Sequence, residues 1–178
     1  MRRAILLLIA CAAPDPLAAQ EPLLHPLLRP NWMIGAGGVF IDYQGGRQSF
    51  DNLAGPAFLV SRINPRGIGL EFRAAYILPT GFYNLRALSG ILGLSYSVPF
   101  GLHLLQLKGG ATGVFGGDSD GSIFGAGGPY LGAAWLFPLG TRAGLQLDGA
   151  VRFYQSGDGD VTAPSVGLSF MTRLGKDR

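Results

Sequence analysis

The sequence predicts an all-β protein, an eight-stranded antiparallel up-and-down transmembrane β-barrel. The composition is the first observation behind this prediction. Apolar residues make up 48% of the 178-residue chain and charged residues 14%, whereas soluble domains carry about 25% charged residues. Beyond residue 20, no stretch of the sequence approaches the roughly 20 apolar residues that a spanning helix needs. A chain that is apolar on average, without long apolar runs, is typical of membrane barrels, whose strands alternate lipid-facing and lumen-facing residues.

Residues 1–19 predict a secretory signal peptide that is removed before folding. Arg2 and Arg3 precede a short apolar segment, and small residues follow at positions 17–19. Cys11 leaves a second processing route open, because Leu8-Ile9-Ala10-Cys11 resembles a bacterial lipobox in which the cysteine is lipidated. Because Cys11 is the only cysteine, no intramolecular disulfide can form. Residues 20–31, with three prolines, predict a periplasmic lead-in.

Turn signals at a regular spacing divide residues 32–174 into strands, which predict a barrel domain. Residues 175–178 are predicted to form a short tail. The predicted strands are 32–43, 52–62, 67–78, 83–98, 102–115, 123–137, 141–154 and 163–174. The registers of 32–43 and 52–62 stay open, because both segments carry apolar residues on both faces. Pro56 and Pro129 lie inside predicted strands, where a missing amide donor is costly.

The connections alternate in character, which is the second observation. Even connections are tight proline turns: Asn64-Pro65-Arg66, Pro99-Phe100-Gly101 and Pro138-Leu139-Gly140. Most odd connections, within 44–50, 79–81, 116–122 and 155–160, are longer and polar. Outer-membrane barrels divide short periplasmic turns from longer outer loops in the same way. An even strand count also leaves both chain ends on the periplasmic side.

Alternation within the strands is the third observation and predicts which residues face the lumen. In 67–78, apolar residues at even positions oppose Glu71 and Arg73; segment 141–154 is as regular. The predicted lumenal polar network comprises Glu71, Arg73, Gln106, Lys108, Arg142, Gln146, Asp148 and Arg152. Glu71, Arg73, Lys108 and Asp148 fall at comparable heights, so we expect them to pair, since unpaired buried charge is expensive. Aromatic residues near strand ends, among them Trp32, Tyr43 and Trp135, predict two interfacial girdles.

A soluble, lipocalin-like barrel would use the same alternation with the faces reversed. A soluble exterior would need charge on every strand, yet 123–137 has none and 83–98 has only Arg86. The charge pattern therefore favours an apolar exterior and an enclosed polar lumen.

The chain resembles the OmpA/OmpX-like eight-stranded outer-membrane β-barrel proteins. The resemblance covers the signal peptide, the strand rhythm, the proline turns, lumenal Glu71/Arg73 and Gln146/Asp148/Arg152, and the last strand with Val166-Gly-Leu-Ser-Phe170. It implies a monomer in the bacterial outer membrane that contacts membrane lipid and lipopolysaccharide and is inserted by the barrel-assembly machinery. The chain departs from the family at its end, where Leu174 is followed by Gly-Lys-Asp-Arg rather than finishing on an aromatic residue.

Residues that could carry chemistry are few. His25 lies in the lead-in, and His103 is expected at the periplasmic rim facing lipid, so a Ser/His/acid triad lacks a usable histidine. Asp118, Asp120, Asp158 and Asp160 lie in outer loops and could hold a divalent cation, although Asp-Gly pairs are also common turn formers. No metal site or cofactor is otherwise indicated. The net charge of +3, without a basic run, argues against nucleic acid.

The sequence thus predicts a non-enzymatic structural or surface-interaction barrel with outer loops available to partners. Three alternatives stay open: a lipid A-modifying outer-membrane enzyme, a narrow channel, and a soluble binder of hydrophobic ligands.

Overall fold

The computed structural model describes residues 29, 31–45, 53–78, 86–117, 123–156 and 159–175. Its strands are β1 (Trp32–Ile41), β2 (Gln44–Gly45), β3 (Leu53–Ile63), β4 (Ile68–Ile77), β5 (Arg86–Phe100), β6 (His103–Gly117), β7 (Ile123–Pro138), β8 (Ala143–Ser156) and β9 (Gly159–Leu174). No described residue belongs to a helix long and apolar enough to cross a membrane.

The strands close into a barrel with up-and-down order. Each long strand pairs antiparallel with the next, and β9 returns to pair with β1. The two-residue β2 continues β1 along β9, so β1 and β2 together count as one of the eight strands of the barrel. This confirms the predicted fold class, and full closure leaves no strand edge open for aggregation.

The pairing register shows that the strands are strongly tilted. From Trp32, each residue can be followed to its partner on the next strand around the barrel. The line passes through Arg62, Leu70, Leu94, Gly109, Leu131, Val151 and Pro164. The Pro164 carbonyl then accepts the Asp42 amide at 2.9 Å, so the line returns ten residues along the chain, at position 42 instead of 32. A stagger of this kind accompanies the tilt of about 35–45° that barrels require.

The two ends of the barrel differ as the sequence predicts. One end, called the turn end, holds Trp32 opposite Leu174 and the connections 64–67, 101–102 and 139–142. The opposite end, called the loop end, carries the other four connections, most of whose residues lie outside the described part of the chain. The last strand ends at Leu174, and Gly175 follows it with a φ of 118°.

The turns are closed by local hydrogen bonds and by glycine. The Asn64 side-chain oxygen accepts the amides of Arg66 and Ile68, each at 2.9 Å, and Gly67 adopts a positive φ of 77°. The next turn is two residues long, Gly101-Leu102, with Gly101 at φ 60°. The predicted turn at Pro99-Phe100-Gly101 is therefore displaced: Pro99 pairs with Leu104 inside the sheet.

Pro56 and Pro129 lie inside strands, and the register shows how the sheet accommodates them. Pro56 pairs with Gly38 of β1, while the β3–β4 ladder is interrupted next to it. Pro129 pairs with Ala111 of β6, while the β7–β8 ladder is interrupted beside it. Each missing amide donor falls at a local break on one side of its strand, so the partner on the other side remains paired.

The strands β1 and β3 are apolar on both faces because they supply the interior as well as the exterior. Val39, Ile41 and Leu53 point inward at the loop end, and Met33 and Leu59 point inward at the turn end. The sequence leaves the register of β1 and β3 open. In the structure it runs from Trp32 opposite Arg62 to Ile41 opposite Leu53.

Candidate functional site

An ion network fills the middle of the lumen and joins β4, β6 and β8. The Lys108 ammonium donates to Glu71 Oε2, and Arg73 Nη1 donates to Asp148 Oδ1. Arg73 Nη2 also lies 3.7 Å from Glu71 Oε1. The four side chains are at most 9% exposed, so the two cations and two anions neutralise one another in a nearly dry interior.

Glycines provide the space that the network occupies. A Cβ atom at Gly167 would lie 2.7 Å from Asp148 Oδ2 and 2.9 Å from Arg73 Nη1. At Gly93 it would collide with the Tyr130 hydroxyl, and Tyr130 is itself buried beside the network. These two glycines are therefore needed for close approach of side chains across the lumen.

A second polar layer lies toward the loop end around Arg152, which is 1% exposed. Arg152 Nη1 donates to Ser89 Oγ at 2.7 Å. Beside it, the hydroxyls of Thr112 and Tyr154 lie 3.2 Å apart, and the Tyr43 ring stacks on Tyr154 with centroids 5.7 Å apart. Within the described part of the chain, no carboxylate lies within 4.0 Å of the Arg152 guanidinium.

A third polar layer lies toward the turn end. Gln106 Nε2 donates to Ser97 Oγ at 3.2 Å, and Gln146 is fully buried, as is Ser169, its register partner on β9. The structure thus places seven of the eight residues of the predicted polar network inside the barrel.

Arg142 is the exception, and the prediction that it faces the lumen is wrong. Its side chain is exposed, because the residue lies in the connection 139–142 before β8 begins. Its carbonyl accepts the Arg173 amide at 2.9 Å. The predicted strand begins at residue 141, two residues before β8, so its alternation includes turn residues.

Two apolar clusters close the lumen on either side of the polar layers. The turn-end cluster contains Met33, Leu59, Ile63, Leu104, Leu136 and Met171. The loop-end cluster contains Val39, Ile41, Tyr43, Leu53, Ala57, Ala75, Ile77, Ala87, Val114, Tyr154 and Ala163. The interior is therefore a packed core in three parts, apolar at both ends and ionic in the middle. An eight-stranded barrel is narrow enough for side chains to fill its interior in this way.

The exterior is a continuous apolar surface. Leu70, Leu147 and Phe170 are 48%, 46% and 52% exposed, while Glu71 and Asp148 beside them in sequence are buried. Exposed apolar residues of this size line every long strand from β1 to β9. This arrangement contradicts the alternative of a soluble barrel, whose apolar face would point inward.

His103 lies on the exterior at the turn end, as expected, among aromatic rings. Its ring lies edge-on to Trp135 and Phe137 at 5.9 and 5.1 Å, and Phe100 packs against Trp135 at 6.2 Å. Within the described residues, the His103 Nδ1 atom has no hydrogen-bond partner, so no serine or carboxylate is bonded to that nitrogen. Tyr43, predicted for a girdle, instead points into the lumen.

The predicted cation-binding loops fall largely outside the described residues, which include neither Asp118, Asp120 nor Asp158. Asp160 is exposed and pairs with Gln155 at the start of β9. Among the described residues, no group of three or more histidine, cysteine or acidic side chains could hold a metal ion. Cys11 and His25 also lie outside the described part.

Sequence reasoning missed the residues whose role depends on contacts across the barrel. Tyr43, Ser89, Thr112 and Tyr154 form the second polar layer with Arg152, and Gly167 makes room for the ion network. The hydroxyl residues alternate with apolar ones in their strands and were visible, but nothing in the sequence indicates which of them meet.

Comparison with solved structures places this architecture among known barrels. Neisserial surface protein A superposes with a TM-score of 0.63 at 7% identity, over 80% of this chain and 97% of that one. The outer membrane protein OprG from Pseudomonas aeruginosa gives 0.61 at 10% identity, over 83% and 97%. The attachment invasion locus protein Ail of Yersinia pestis gives 0.55 at 12% identity, over 81% and 99%.

The chain has the fold of the eight-stranded outer-membrane β-barrels. This confirms the resemblance to OmpA/OmpX-like proteins at the level of the fold. No protein-family model and no curated protein sequence matches the chain.

Proposed function

We propose that this chain is a non-enzymatic outer-membrane barrel that is anchored by its apolar exterior and presents its loop end to partners outside the cell. The observation that carries the proposal is the division of side chains: large apolar residues cover the outside of every long strand, and the charged residues in the middle of the strands are sealed inside. An exposed apolar surface of this extent is stable only against lipid or another apolar partner.

The packed lumen argues for an anchor rather than a channel. Residues that would line a pore, such as Leu59, Leu136 and Ile77, are fully buried in the two apolar clusters. Purified protein in a planar bilayer should therefore show no conductance steps above background. Regular steps would favour the narrow channel instead.

The surroundings of His103 support a non-enzymatic role. Lipid A-modifying chemistry would require a histidine with a serine or acidic partner at the outer side, and His103 lies at the turn end among aromatic rings. Cysteine-accessibility labelling of His103→Cys with an impermeant reagent on intact cells tests this placement. We expect no labelling, and labelling from outside would reopen the enzyme hypothesis.

Partners would meet the barrel at the loop end and in the lipid. One solved complex of Ail holds a heparin analogue, sucrose octasulfate. The described loop-end charges here are Asp42, Arg86 and Asp160, which together do not form a basic surface for such a polyanion. We propose a monomer that contacts lipopolysaccharide through this end and is inserted by the barrel-assembly machinery.

Heat-modifiable mobility tests the proposal directly. In detergent, a closed membrane barrel resists unfolding in gel buffer until it is boiled, so the unheated sample should migrate faster than the boiled one. The protein should also need detergent or lipid to stay in solution. Equal mobility before and after boiling, with stable folding in plain buffer, would refute the membrane anchor.

A further inference from the structure

The charges outside the lumen are unevenly divided between the two ends of the barrel. Four exposed arginines lie at the turn end: Arg29, Arg62, Arg66 and Arg142. We call these four residues the arginine collar. Within the described ranges, no carboxylate lies at that end, whereas the loop end has Asp42 and Asp160 against Arg86. Among the described residues outside the lumen, the turn end therefore carries basic charge, and the loop end carries both signs.

The collar lies next to the aromatic residues of the same end. The Arg62 guanidinium lies 5.4 Å from the centroid of the Trp32 ring, in a cation–π contact. Trp135 and Phe137 stack at 5.4 Å on the neighbouring exterior surface. Tryptophan rings settle at the membrane–water interface, and a guanidinium just beyond them reaches the level of the lipid phosphates.

We propose that the arginine collar binds the phosphates of anionic phospholipids in the leaflet that the turn end faces. The inference rests on the proposed membrane anchor, because only an inserted barrel holds the collar at phosphate height. Arginine suits this ligand, since its planar fork pairs with two phosphate oxygens at once. Charge complementarity favours phospholipid over a protein partner, because the exposed arginines lie beside the aromatic rings of the turn end, at the level of the lipid phosphates.

Selectivity for anionic lipid should be measurable with the native tryptophans. The chain has two, Trp32 and Trp135, and both lie at the turn end. The protein is inserted into vesicles of phosphatidylcholine and phosphatidylglycerol in equal amounts, with bromine on the chains of one lipid or the other. Brominated lipid quenches tryptophan on contact, so the ratio of the two quenching values reports which lipid the collar gathers.

We expect brominated phosphatidylglycerol to quench more strongly, with a local enrichment of two- to about fivefold, as for one or more basic residues at an anionic surface. The triple variant Arg62→Gln, Arg66→Gln, Arg142→Gln should lose most of this enrichment, and the lysine versions should keep part of it. The matched control Arg86→Gln, at the loop end, should keep all of it. Added salt should reduce the enrichment by screening.

The outcomes separate the two proposals. Equal quenching by both lipids in the native protein would overturn the phospholipid site while leaving the anchor intact. Loss of enrichment in Arg86→Gln as large as in the triple variant would also overturn it, because the effect would then follow net charge. Absence of quenching by either lipid would mean that the barrel does not insert, which refutes the anchor itself.

Discussion

Replacing Asp148 with asparagine tests whether the lumenal ions stabilise one another. The substitution keeps the shape of the side chain and removes its charge, so no cavity forms beside Gly167. Arg73 is 3% exposed, and its only remaining contact with a carboxylate would be the longer one to Glu71, at 3.7 Å. Removing one partner of a buried ion pair typically costs about 3–5 kcal/mol. Because the amide oxygen still accepts one hydrogen bond, we expect a loss of about 3 kcal/mol, at the lower end of that range.

The assay is reversible urea unfolding of the barrel in lipid vesicles, followed by tryptophan fluorescence. Asp160→Asn is the matched control, because Asp160 is an exposed carboxylate in β9, and it should change the free energy of unfolding by no more than about 0.5 kcal/mol. The double variant Arg73→Met, Asp148→Leu removes the whole pair. It leaves the ion pair of Lys108 with Glu71, whose charges cancel. Replacing a buried pair by apolar residues is often close to neutral, so the double variant should lie within about 1 kcal/mol of the native protein.

Two results would refute this reasoning. A loss below about 0.5 kcal/mol in Asp148→Asn would place it among ordinary surface substitutions, and the network would then not be buried as the structure shows. A double variant as unstable as the sum of its single variants would show that Arg73 and Asp148 are not energetically coupled.

Three further variants test other parts of the structure. Gly128→Ala would place a Cβ atom against the Phe153 carbonyl oxygen, so it should destabilise the barrel by about 1–3 kcal/mol in the same unfolding assay. Gly140→Ala, with open space around the residue, should not destabilise it. Equal effects of the two substitutions would contradict the close approach of β7 and β8. Leu92→Arg, in the middle of β5, should cost about 2–4 kcal/mol in vesicles, and Leu139→Arg at the turn end about 0–1 kcal/mol; no difference between them would mean that the apolar surface does not span a bilayer. Arg152→Met should cost less than Arg73→Met, because no described carboxylate depends on Arg152; the opposite order in urea unfolding would contradict that assignment.

The parts of the fold that the sequence predicts well are those in which one face is charged. In β4 and β8, Glu71, Arg73 and Asp148 can face only the lumen, so the alternation fixes which side is outside. In β1 and β3, the inward positions belong to the apolar clusters, so both faces look alike and the register stays open. The observed turn between β5 and β6 differs from the predicted one because Pro99 predicts a strand end, whereas proline is tolerated in a strand where its missing donor is not needed.

The candidate site was predictable in composition but not in its contacts. Strand depth placed Glu71, Arg73, Lys108 and Asp148 at similar heights, yet the pairing of Lys108 with Glu71 depends on the tilt of the strands, which no local pattern reveals. The role of Gly167 depends on side chains from two other strands. Arg142 was misplaced because a turn residue next to a strand continues the alternation by chance.

The central claim is that the apolar residues of the strands contact lipid while the ions lie sealed inside. Spin labels at Leu92, Leu147 and Phe170, introduced one at a time as cysteines in a Cys11→Ser background, test it in vesicles by collision with molecular oxygen and with a water-soluble nickel chelate. We expect frequent collisions with oxygen and few with the chelate at all three positions. Labels shielded from both reagents, or reached more readily by the chelate than by oxygen, would contradict it.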